Sequence, residues 1–93
     1  MPPKSPVPQE VSAELQRVVR RWQQLPLDRA LSCMPRARLL LDDLAAPARQ
    51  VPDLGPAVLM DQLTVLVYDA CAADAEAGGD LASRLGDLRR ELG

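Results

Sequence analysis

The sequence predicts an all-α fold, a small antiparallel helical bundle of four main helices plus one short helix, for three reasons. The 93-residue chain holds sixteen leucines and thirteen alanines, both strong helix formers, and no phenylalanine or isoleucine. Its large apolar residues recur at spacings of three and four, the period of an amphipathic helix. Its β-branched residues are eight valines and one threonine, and they fall inside those helical patterns, so no strand is expected.

Residues 1–8 hold four prolines and read as a disordered or polyproline-like tail. Residues 9–93 then form a single helical-bundle domain. The first helix is expected from Pro8 to Leu25, with proline at its first turn, where no donor is needed. Glu10 and Glu14 sit near its positive end and Arg20 and Arg21 near its negative end. Val11, Leu15, Val18, Val19, Trp22 and Leu25 fall within an arc of about 120° and define its buried face. Pro26 ends this helix or kinks it.

A short helix from Pro26 to about Cys33 follows, with Leu27, Ala30 and Leu31 apolar. Pro35 is expected to break it and to open a third helix, Arg36 to about Ala46, which turns Leu40, Leu41 and Leu44 inward. The three prolines and one glycine of residues 47–56 predict a loop. The longest helix, and the central one, is expected at about 56–77, stopped by Gly78 and Gly79. Asp80 caps a last helix, Leu81 to Leu92. There Leu81, Leu85, Leu88 and Leu92 make a narrow seam that must dock on this chain or on a second copy. Asp80–Arg84 and Asp87–Arg90 are its expected surface pairs.

Composition narrows the chemistry. With no histidine, imidazole acid–base catalysis and imidazole metal ligation are excluded. No glycine-rich phosphate loop or nucleophile triad is present, and no cofactor is expected. Cys33 and Cys71 read as free, buried thiols, because no basic residue near Cys71 in sequence would activate it. Asp61, Asp69 and Glu76 share a stripe on the long helix, but at spacings of eight and seven residues they are too far apart for one ion, so no metal site is expected.

Charge is unevenly placed. Residues 1–49 carry eight basic and five acidic groups, and residues 50–93 carry three basic and eight acidic, for a net charge of −2. Arg17, Arg20 and Arg21 form a basic group on the first helix, set against the alternative of a solvated face paired with Glu10 and Glu14. A helix-turn-helix arrangement around Cys33-Met34-Pro35, with Arg36 and Arg38 entering the groove, is countered by Leu39-Leu40-Leu41 and Asp42-Asp43 directly after them. Among the acids of the long helix sit Val58, Val65 and Tyr68. An apolar strip beside Asp61 and Asp69 has the character of a partner surface, unless another helix of the same chain covers it.

These features point to a non-enzymatic protein–protein interaction module, self-associating as a homodimer or acting as the small subunit of a complex. The partner-binding candidates are Val58, Val65, Tyr68, Asp61, Asp69, Arg17, Arg20 and Arg21. Two alternatives stand beside it. One is a small DNA-associated regulator using arginines of the first three helices, although the acidic balance disfavours nucleic acid. The other is a carboxylate-based helical enzyme. No signal peptide or membrane span is legible, which gives a cytoplasmic expectation, and the arginine-rich, lysine-poor composition hints at a bacterial source.

Overall fold

The apolar repeats become four α-helices in the structure, a computed structural model that describes residues 7–45, 51–74, 76 and 78–93. They are α1 (Gln9–Gln24), α2 (Leu27–Ala45), α3 (Pro56–Ala73) and α4 (Gly78–Glu91). Among the described residues there is no strand, and no helix is long and apolar enough to cross a membrane. Residues 1–6 of the expected tail at 1–8, residues 47–50 of the expected loop at 47–56 and the expected helix ends at Ala46 and Ala77 lie outside the described residues.

In α1, Val11, Val18 and Trp22 are buried, and Leu15, Val19 and Leu25 are half-buried against the core. Trp22 anchors two elements at once, because its indole Nε1 donates to the Pro56 carbonyl at 3.0 Å. A buried indole N–H needs such an acceptor.

The predicted short and third helices are one helix, α2, with Pro35 inside it. Proline gives no N–H to the Leu31 carbonyl, but Pro35 and Leu31 are both exposed, so water can serve that oxygen. On the opposite side Ala30, Cys33, Met34, Ala37, Leu40, Leu41 and Ala45 are buried. Burial of that continuous face outweighs the cost of one proline, about 3 kcal/mol. At 19 residues α2 is also longer than the 18-residue α3, contrary to expectation.

Pro56 opens α3 as predicted, after Gly55 with φ 91° and ψ 173°. That backbone conformation is essentially confined to glycine. The helix stops at Ala73, earlier than expected, because Asp74 is extended and its Oδ1 accepts the Glu76 N–H at 2.9 Å. A side chain that satisfies the backbone in this way competes with helix continuation. Gly78 and Gly79 do not terminate the long helix; they are the first residues of α4, and Asp80 lies in its first turn.

The leucine seam of α4 docks within the chain, with Leu81, Leu85, Leu88 and Leu92 all buried. Its neighbour is α1, and the two run in the same direction, which corrects the antiparallel expectation for this pair. A Cβ on Gly78 would meet Pro8, Gly86 lies by Glu14, and Gly93 lies by Arg21. Side-by-side parallel helices align their dipoles unfavourably. Acids in the first turns (Glu10, Asp80) and arginines in the last turns (Arg21, Arg89, Arg90) offset this.

The first turns of α2 and α3 lie together at the C-terminal end of α1, around Trp22. From there α2 runs opposite to α4, since Arg36 pairs with Glu91 at 2.6 Å and Asp43 with Arg84 at 2.5 Å. The order is therefore up, down, down, up. The segment before α3 is tied across both middle helices, with Arg38 donating to the Val51 carbonyl at 2.8 Å and Gln62 to the Pro52 carbonyl at 3.0 Å.

Candidate functional site

The pairing of α1 with α4 and of α2 with α3 leaves α1 and α3 in light contact. A groove opens between them. One stretch is lined by Ser12, Leu15, Gln16, Val19, Arg20, Gln23 and Thr64. The adjoining stretch shares Val19, Gln23 and Thr64 and adds Trp22, Ala57, Met60 and Asp61. Its floor is apolar, and Thr64 already donates its hydroxyl to the Met60 carbonyl at 2.8 Å.

The five candidates on α3 fall in different places. Asp61 lines the groove. Tyr68 follows Thr64 by one helical turn and so stands on the groove side. Val65 tops the outer crest of the helix, opposite the buried Leu59, Leu63 and Leu66. Val65 is 55% exposed and Tyr68 50% exposed, so no other helix of the chain covers them. Val58 and Asp69 are half-buried on the far side of the crest.

The three arginines of α1 do not form one patch. Arg20 is exposed and lines the groove, and among the described residues it has no ion-pair partner. Arg17 is held by Glu14 at 2.8 Å. Arg21 turns toward α4 and donates to the Gly93 carbonyl at 2.8 Å, with its Nε buried and unpaired. Residues three or four apart share a helix face, whereas adjacent ones diverge by about 100°, which separates Arg20 from Arg21.

Beyond the groove, Glu14 is the best-anchored charge. Arg89 Nε donates to its Oε2 at 3.0 Å and Arg17 to its Oε1, and the Arg89 hydrogen bond holds its carboxyl below the ordinary 4.5. Asp87 pairs with Arg90 as expected, but Arg84 pairs with Asp43 rather than Asp80. Cys33 and Cys71 are free and buried, and burial pushes the Cys71 thiol up. Among the described residues no three cysteine or carboxylate side chains converge on a possible metal site.

The helix-turn-helix arrangement, which the sequence already disfavoured, is absent here, since Cys33, Met34 and Pro35 lie in mid-helix and provide no turn. Asp61 and Asp69 stand about 12 Å apart along the α3 axis. One surface feature was missed. Leu27, Leu31 and Leu39 are 67%, 51% and 66% exposed, at spacings of four and eight residues along the outer side of α2, with the exposed Pro35 between the last two. The expected short helix ending near Cys33 separates Leu27 and Leu31 from Leu39, so the three share a side only once α2 runs unbroken through Pro35. The chain matches no family model, no curated protein and no solved structure.

Proposed function

We propose that this protein is a non-enzymatic protein-interaction module that works through the outer face of α3 and the groove beside it. One observation carries the reading: Val65 and Tyr68 stand exposed on α3, on the side away from the core. An aromatic and a β-branched side chain left in water beside an apolar-floored groove are suited to burial against a partner. Tyr68 can bury its ring while its hydroxyl stays at the wet margin. The leucine seam of α4, by contrast, is fully used inside the chain and contributes nothing to this surface.

Light scattering over a range of concentrations tests the proposal, with a Val65→Glu/Tyr68→Ser double variant beside the wild type. The wild type is expected to exceed the 10.1 kDa of one chain, alone or with a captured partner. The variant is expected to lose that association while keeping its helical circular dichroism. A wild type that stays at single-chain mass and captures no partner sinks the proposal, as does a variant that associates normally.

A further inference from the structure

We infer that the groove between α1 and α3 docks a second copy of this chain about a two-fold axis running along the groove, with Arg20 of each copy set against Asp61 of the other. This rests on the interaction-module reading and adds its partner and geometry. The two walls of the groove carry opposite charges, Arg20 on α1 and Asp61 on α3. Both side chains are exposed, and neither has an ion-pair partner among the described residues. Of the other described arginines, Arg17, Arg36, Arg84, Arg89 and Arg90 reach a carboxylate and Arg21 and Arg38 a backbone carbonyl, so among the described residues only Arg29 shares the unpaired state of Arg20. The two unpaired charges also lie at about one level, because Val19, Gln23 and Thr64 border both the stretch that contains Arg20 and the stretch that contains Asp61.

Two face-to-face two-folds are open to such a surface. An axis across the groove lays α1 on α1 and α3 on α3, which opposes like charges. An axis along the groove lays α1 of one copy on α3 of the other, and the single complementary pair becomes two. Charge therefore selects the second arrangement. In it the half-buried Leu15 and Val19 of each floor face the exposed Tyr68 of the other copy, so the apolar content of the two surfaces also matches.

The test is sedimentation equilibrium on four samples: wild type, Asp61→Arg, Arg20→Asp, and an equimolar mixture of the two variants. The wild type is expected to dimerise, more weakly as salt is added. Each reversal alone opposes like charges twice and is expected to raise the dissociation constant by about tenfold or more. The mixture restores both opposite-sign pairs and is expected to return to near wild-type affinity as a one-to-one heterodimer. Single reversals that dimerise like the wild type, or a mixture that gains nothing, overturn the inference. If association still disappears in Val65→Glu/Tyr68→Ser, the interaction-module reading survives that result with a different face or partner. A monomeric wild type overturns the inference outright and leaves the broader reading to the capture of another partner.

Discussion

At Gly78 the missing side chain is what allows α1 and α4 to touch. A Cβ built there would lie 2.8 Å from Cγ of Pro8, closer than carbon atoms approach. Gly86 differs, since a Cβ there would meet only ordinary contacts, 3.6 Å from Arg90 Nη1 and 3.8 Å from Glu14 Oε2. Alanine is therefore expected to act in opposite directions at the two positions. Gly78→Ala should cost about 1–3 kcal/mol by overpacking, and Gly86→Ala should gain about 0.5–1 kcal/mol by restoring helix propensity. Urea midpoints would read both, and equal signs would contradict the close α1–α4 contact. Glu14 gives a pH signature. Its carboxyl is held below 4.5, chiefly by the hydrogen bond from Arg89, so the folded state prefers the ionised form. The stability it adds is complete above 4.5 and is lost as the pH falls through its lower folded value. Glu14→Gln should be less stable than the wild type at neutral pH, with the gap closing under acid. A gap that stays constant from neutral to acid would show that the Arg89 contact does not act through charge.

Among the elements, α2 shows where sequence rules compete. The buried set Ala30, Cys33, Met34, Ala37, Leu40, Leu41 and Ala45 runs unbroken through Pro35, and its spacing fits one continuous helix. The rule that an interior proline breaks a helix points the other way. Yet proline removes only one hydrogen bond, and here on the exposed side, where water can take the partner's place. Pro35→Ala is expected to stabilise the protein by about 2 kcal/mol, the helical gain less proline's stiffening of the unfolded chain. Thermal denaturation would check this, and a loss of stability would mean that the proline ring makes packing the exposed face does not reveal. The other departures have similar local origins. The alanine-rich end of α3 reads as helix until the Asp74 side chain takes the backbone into a turn, and the paired glycines read as a stop until Gly78 is seen pressed against Pro8. The faces of α1 and α4 were fully legible, because each carries a single stripe of large residues among polar ones.

For the whole molecule, periodicity specified faces but not directions. The apolar strip of α3 could be read from Val58, Val65 and Tyr68 among acids, but whether another helix covers it, and the groove beside it, depend on which helices pair. That follows from α2 and α3 starting at the same end, which demands a return crossing before Pro56 that no apolar pattern announces. The split charge of the two halves became cross-helix pairs such as Arg36–Glu91 and Glu14–Arg89, yet left Arg20 and Asp61 without an ion-pair partner among the described residues. The parallel course of α1 and α4 has one more consequence. Pro8 and Gly93 stand at opposite ends of the bundle, separated by roughly the length of the 16-residue α1, about 24 Å. A circular permutant that lacks residues 1–7 and joins Gly93 directly to Pro8 with a two- or three-residue linker cannot close within one molecule, since an extended residue spans only about 3.5 Å. Such a permutant is expected to exchange helices between chains and elute as an oligomer, and lengthening the linker to about ten flexible residues should let each chain close on itself.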